Sequence, residues 1–299
     1  MPKTAPIQNK IAGVSIAIAA AVAFGAYPPA ARAVYADGGN AVFMILVTTF
    51  SRALTLNLFC LLLHKPVFKT KKDIRTALTG GFFQFLSISG ILSALAYLPG
   101  AVVIVIVFTH TLMLLFFMAW RGEIKITAQT LVTTLAALGG LSLVLNIWQQ
   151  QEQHLSYLGM GLAFMAAVAA MSRVYVYGHL TKTRNPAIVG AEAFLIAAAF
   201  TLLVLFFKMP HAPASFAGYG WASLGCLSLI LGTFGMFYGI SILGSFNFSL
   251  LLKLEPIFTA IFSVVLINEV LSWHQYAGML VVIASLIVYQ YIDYKKRPK

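Results

Sequence analysis

Acidic residues are scarce in this chain. Eight Asp and Glu stand against 20 Lys and Arg in 299 residues, and charged residues together make up 9%. Soluble domains carry about 25% charged residues, so too few polar groups are present to cover a water-facing surface. That excludes a soluble enzyme, a nucleic-acid module and a disordered chain. Cysteine is sparse too: Cys60 and Cys226 both lie inside apolar runs and build neither a disulfide framework nor a metal cluster. HExxH is absent, no phosphate-cradling glycine loop sits beside a lysine, and Gly159-Met160-Gly161 stops short of a dinucleotide pattern. Neither cofactor nor metal is expected. Apolar residues are what abounds, at 60% of the chain, with a mean hydropathy of +0.89.

An all-α membrane protein with ten transmembrane helices accounts for this. A spanning helix needs roughly 20 apolar residues. Apolar runs between polar breaks fall at about 11–34, 41–63, 78–98, 101–120, 128–148, 157–177, 187–207, 221–243, 246–267 and 276–291. Connections such as Pro99-Gly100 and Gly244-Ser245 are too short to hold a domain. The first run can also be read as a signal peptide ending at Ala31-Arg32-Ala33, but its recurrence later in the chain favours a span. The net charge of +12 would suggest nucleic acid in a soluble protein; here no nucleic-acid partner is expected, because the charge follows topology. Lys3, Lys10, Lys65, Lys69, Lys71, Lys72, Arg75, Arg121, Lys125, Lys182, Arg184 and the tail (Lys295, Lys296, Arg297, Lys299) fall on one side, and only Arg32 and Lys208 on the other. The positive-inside rule then puts both termini in the cytoplasm. Trp120, Trp148 and Trp221 fall at span ends, where indoles anchor at the interface.

The sequence also lines up with itself at an offset of 146 residues. Gly13 to Ala23 falls on Gly159 to Ala169 with six identities in eleven, Glu123 falls on Glu269 and Gln129 on Gln275. Each half, 1–148 and 149–299, then holds five spans. An odd number inverts the second half relative to the first, the arrangement of many secondary transporters, whose substrate site lies near mid-depth between the repeats.

Leu254-Glu255-Pro256-Ile257-Phe258, followed by Asn268-Glu269, Leu271-Ser272, Gln275 and Gly278, resembles the second EamA-type repeat of the drug/metabolite transporter superfamily. Leu95-Ala96-Tyr97, Gly122-Glu123 and Arg52 give a fainter version in the first half. The resemblance implies ten helices in two inverted bundles and transport of a small metabolite. One departure matters: where many members carry proline in span four, this chain has Thr109-His110, which puts symmetric kinking of spans four and nine in question.

Charge at the bilayer centre costs about 2.5–3.5 kcal/mol on insertion scales and should face the bundle interior. The residues concerned are Arg52, His110, Arg173, Glu192, Lys253 and Glu255. The offset pairs Thr109 with Glu255 and His110 with Pro256, bringing equivalent, oppositely running helices together. His110 is expected either in a cavity, touching substrate or relaying protons, or as a neutral histidine bonded within the packing. For Lys253 the choices are an anion contact or an internal ion pair. Pro256 should bend span nine, and the family's recurrent Glu-Pro points to a structural or gating Glu255. Arg52 matches an arginine frequent in the family's second span and suggests an ion pair, with Glu192 as its counterpart or as part of a proton path. Arg173 is expected to snorkel. Tyr27 precedes Pro28-Pro29, which should kink span one, while Gln84 and Tyr238 sit on helices that the family uses to line its pore.

The expected substrate-binding set is therefore His110, Lys253, Tyr27, Gln84, Tyr238 and Thr109, with Glu255, Pro256, Arg52 and Glu192 gating or ion-paired. Both signs beside tyrosines suit a small zwitterion such as an amino acid, carried across a bacterial inner membrane by a non-enzymatic, gradient-driven transporter. A lipophilic-cation exporter and a membrane-embedded enzyme are the alternatives. The partners are the small-molecule substrate and the lipid bilayer, with homodimerisation left open.

Overall fold

In the computed structural model, residues 7–147 and 156–295 are described; Lys3, Trp148 and the side chains of the C-terminal bases lie outside them. The regular elements among these residues are all helical: α1 (Ile7–Gly25), α2 (Tyr27–Ala36), α3 (Ala41–Leu62), α4 (Lys71–Ala94), α5 (Gly100–Phe108), α6 (His110–Trp120), α7 (Ala128–Val144), α8 (Tyr157–Leu180), α9 (Pro186–Thr201), α10 (Phe216–Leu243), α11 (Ser245–Leu251), α12 (Glu255–Ile267) and α13 (Trp273–Lys295). Taking α1–α2, α5–α6, α11–α12 and α9 with the 3₁₀ turn Leu202–Phe206 as continuous pieces, nine helical stretches among the described residues are long and apolar enough to cross a membrane. The protein is thus a multi-pass membrane protein. The shorter α7 has 17 residues, about 25 Å at 1.5 Å per residue, less than the ~30 Å of a hydrocarbon core.

Helix ends are set by polar caps, because the first turn of any helix leaves amides without intrahelical partners. Asn40 accepts from the amide of Phe43 at 2.9 Å, and Thr70 with Asp73 closes a capping box on α4. Thr127, Ser156, Asn185 and Ser215 cap α7, α8, α9 and α10 in the same way. Further contacts sort the connections into two ends. At the basic end, Arg184 pairs with Asp73 and Glu192, and Tyr175 donates to Glu123 at 2.6 Å. At the opposite end Asn40 donates to the Met209 carbonyl, Ser215 to Asp37, Arg32 to Glu269, and Gln275 to the Val144 carbonyl.

Between these ends the helices pack as α4 on α8, α1 on α10, α3 on α9 and α7 on α13. Small residues allow the approach. Gly140 and Gly278 meet so closely that a methyl group on either would lie within 3 Å of the other's carbonyl oxygen, and Tyr177 lies against Gly80, its hydroxyl donating to that carbonyl at 3.1 Å. The core is correspondingly rich in alanine on α8 and α9, with Phe194, Phe237 and Phe248 filling the space between helices.

Candidate functional site

Three of the spanning stretches are interrupted, one at Ala26 between α1 and α2 and two near the middle of their length. Between α5 and α6 the interruption falls at Thr109, with no proline present. Three successive carbonyls that a continuous helix would pair with the amide four residues on take other donors. Thr109 gives both its amide (3.1 Å) and its hydroxyl (2.6 Å) to the Ile106 carbonyl. His110 Nδ1 donates to the Val107 carbonyl at 3.0 Å. Lys253 Nζ donates to the Phe108 carbonyl at 2.5 Å. Side-chain insertion into the ladder is one of the few causes of a sharp helix break, and here it replaces the expected proline.

The second mid-length interruption lies between α11 and α12, where Leu252–Leu254 tighten into a 3₁₀ turn and Pro256 opens α12. Proline is tolerated in the first turn because no intrahelical partner is lost there. Lys253 sits in this turn, fully buried, and reaches across to the interruption at Thr109. Its ammonium donates to the carbonyl and stands 4.3 Å over the ring of Phe108. Lys253 is therefore held by a carbonyl and an aromatic face, not by a carboxylate within ion-pair distance. Phe108 is a site residue that sequence reasoning missed; the 146-residue offset, which sets positions 107 and 108 beside 253 and 254, was the available signal.

The other predicted residues gather only in part. Arg52, mid-way along α3 and buried, donates from Nε to the Thr48 carbonyl at 2.9 Å and lies 4.6 Å over the ring of Phe194. Glu192 is not its counterpart. Glu192 sits two turns into α9, close enough to the basic end for Arg184 Nη2 to reach it at 2.6 Å and for the Phe68 amide to donate at 3.0 Å. Arg173 does not snorkel either: Nη1 contacts the sulfur of Met236 on α10 at 3.7 Å, and Nε is buried without a hydrogen-bond partner. Its electrostatic neighbours are Tyr177, Glu255, Arg52 and His110, all inside the bundle. Tyr27 is a neighbour of Arg52, and Glu255 of Lys253 and Arg173. Gln84 is buried, with Oε1 unpartnered; the antiparallel register of α4 and α8, fixed by Gly80 against Tyr177 and Gly90 against Ala166, places it at the depth of Arg173. Tyr238 lies away from this cluster, beside Cys60.

A cavity of about 610 Å³ opens at the basic end, lined by Glu123, Lys125, His179, Lys182, Ser245 and Asn247 among others. None of the predicted site residues lines it, although Leu115 and Met118 on its wall lie one to two turns beyond His110 on α6.

A helical membrane protein with broken spans and ionisable groups at their meeting point is the class this geometry defines. Residues 157–290 match the EamA-like transporter family. The match takes in Leu254–Phe258 and Glu269, where the resemblance was most specific. Similarity to that family over these residues points to a transporter of small molecules. No curated protein matches the chain. Among solved structures 28 chains match, and one, a crystal structure, superposes with a TM-score of 0.74 over 96% of this chain and 99% of its own at 16% identity. At that identity the likeness concerns the fold alone.

Proposed function

We propose that this protein is a secondary transporter carrying a small metabolite, an amino acid or related zwitterion, across a bacterial inner membrane by alternating access. The observation that carries the reading is the bond from Lys253 to the Phe108 carbonyl, which joins two interrupted spans at mid-depth amid Arg52, Arg173, His110 and Glu255. Broken helices that expose backbone groups to a shared site are characteristic of carriers.

In this reading α7 is the tenth traverse, running from Thr130 on the cavity wall at the basic end to Val144 at the other. The chain then divides into halves 1–148 and 149–299, inverted relative to each other. The packing supports this: the 146-residue offset exchanges the α4–α8 contact with α1–α10 and returns α3–α9 and α7–α13 to themselves. The basic end is cytoplasmic, with both termini, and the 610 Å³ cavity is the vestibule on that side. His110 presents Nε2 to the solute, since Nδ1 is committed to Val107. Tyr27, Thr109 and Gln84 complete the contact surface, while Lys253, Glu255, Pro256 and Arg52 hold the geometry of the breaks. Arg52, Arg173 and Lys253 within the spans disfavour a lipophilic cation as cargo.

Counterflow tests the proposal. Purified protein in liposomes preloaded with an unlabelled amino acid is expected to accumulate the labelled form transiently above equilibrium, with saturation. Absence of counterflow with every protein amino acid overturns the assignment of substrate and mechanism together.

A further inference from the structure

The charges of the central cluster, Arg52 and Lys253 buried and Arg173 and Glu255 half-buried, do not balance. Arg52, Arg173 and Lys253 lie within the spans, and Glu255 is the carboxylate among their electrostatic neighbours. Leaving a charge unpaired in a protein interior costs several kcal/mol, so each of these groups should be compensated. Lys253 is, by the Phe108 carbonyl and ring. Arg52 is, by the Thr48 carbonyl and the Phe194 ring. Arg173 is the exception. Thioether sulfur is a weak acceptor, its Nε is buried with no partner, and no carboxylate stands within 4.0 Å of its guanidinium among the described residues. At the same depth Gln84 offers a buried, equally unpartnered Oε1.

Position adds a second argument. The 146-residue offset maps Tyr27 onto Arg173. In the first half Tyr27 closes the turn at Ala26, where the α1 stretch is interrupted. The equivalent place in the second half carries a guanidinium on an unbroken α8. Both side chains have Arg52 as a neighbour, so they converge from the two halves.

We propose that Arg173, backed by Arg52, is the seat for the carboxylate of the transported solute. This rests on the transporter reading above and deepens it by naming the anion-binding group. A guanidinium presents its donors as a planar fork that matches a carboxylate with two parallel hydrogen bonds, and Nε with one Nη supplies that fork. Gln84 Oε1, at the same depth, and the Glu255 carboxylate, an electrostatic neighbour of Arg173, are acceptors that suit the ammonium of a zwitterion. Lys253 and His110 then order the backbone beside the solute and do not themselves bind its acid group.

Thermal unfolding of the purified protein in detergent reads this out, with the protein amino acids, acetate and inorganic phosphate as probes. A bound ligand raises the melting temperature by mass action. At least one amino acid is expected to raise it, and its carboxamide and its decarboxylated amine to give less than a third of that shift. Arg173→Gln should abolish the ligand shift while leaving the unliganded melting temperature equal or higher, because it removes an unpaired charge. Arg173→Lys should retain charge without the fork and bind roughly tenfold more weakly. A purely structural arginine would do the reverse, lowering the unliganded temperature and sparing the ligand shift. The proposal is overturned if no carboxylate stabilises the protein, if phosphate alone does, if the carboxamide works as well as the acid, or if Arg173→Gln keeps the shift. Counterflow separates the two readings. Unchanged counterflow in Arg173→Gln defeats the arginine seat and leaves the transporter, whereas Arg173-dependent binding without counterflow defeats the transporter and leaves the seat.

Discussion

The two spans interrupted at their middles, α5–α6 and α11–α12, arrive at similar backbones by different chemistry. In α11–α12 the cause is local: Pro256 cannot continue the preceding turn, and Leu252–Leu254 tighten ahead of it. In α5–α6 the cause is distributed. Thr109 and His110 draw the Ile106 and Val107 carbonyls out of the ladder from within the same segment, and the third carbonyl is held by a lysine more than a hundred residues away. A proline break is built into the chain and persists in any conformation. A break held by Lys253 depends on the two halves remaining in register, so the first interruption is conditional on the second. Under the proposed alternating access, that asymmetry locates the coupling between the halves in one hydrogen bond.

Removing that bond should give the largest effect. Lys253→Met keeps the length of the side chain and leaves the Phe108 carbonyl buried without its donor, a loss of about 1–3 kcal/mol. The expected result is a melting temperature several degrees lower and counterflow reduced at least tenfold, measured on the same preparation. If stability and transport both stay at the wild-type level, the two interruptions are independent and the comparison fails.

The intrasegment donors should matter less. His110→Ala deprives the Val107 carbonyl of Nδ1, worth about 0.5–1.5 kcal/mol for a typical hydrogen bond. Thr109→Val should cost less still, because the Thr109 amide continues to serve the Ile106 carbonyl. Melting temperatures ordered Lys253→Met, His110→Ala, Thr109→Val from lowest to highest would sharpen the distinction between a conditional break and a local one. Thr109→Val as the most damaging of the three would reverse it.

Much of this was legible in the sequence, and the failures have physical reasons. Apolar runs located the helices because a bilayer imposes length and polarity on every crossing, and the Glu-Pro block marked the second interruption. The first interruption was in question for want of a proline, since sequence rules for helix breaks register prolines and glycines but not side chains competing for carbonyls. Lys253 was expected to meet an anion. Its partner is a main-chain oxygen, which no residue type advertises. Glu192 was read as a counterpart of Arg52 or part of a proton path because both lie within apolar runs. Its depth, early in the span, was legible, but that Arg184 on the preceding connection reaches back to it is a side-chain choice no sequence pattern shows. Arg173 was read as snorkelling by its distance from the helix end, whereas the direction of its side chain is set by packing against Met236.

The comparison extends to the two ends of the bundle, where the effects should be smallest. The offset sets Glu123 on Glu269, and both carboxylates are engaged: Glu269 accepts from Arg32 at 2.8 Å at one end, while Glu123 accepts from Tyr175 at 2.6 Å and lies 3.4 Å from His179 at the other. Each ties the connection after an interrupted span to a helix of the opposite half. Alternating access requires these ties to be weak enough to open in turn, and the Arg32–Glu269 pair is 60% and 38% exposed, where an ion pair contributes about 0–1 kcal/mol and is screened by salt. Arg32→Gln is therefore expected to leave the melting temperature within about a degree or two of wild type while changing the access of labelling reagents to a cysteine introduced near the opposite end of α1. Equal labelling in both proteins would show that this pair does not bias which end is closed, and would confine the coupling between halves to the contact of Lys253 with Phe108.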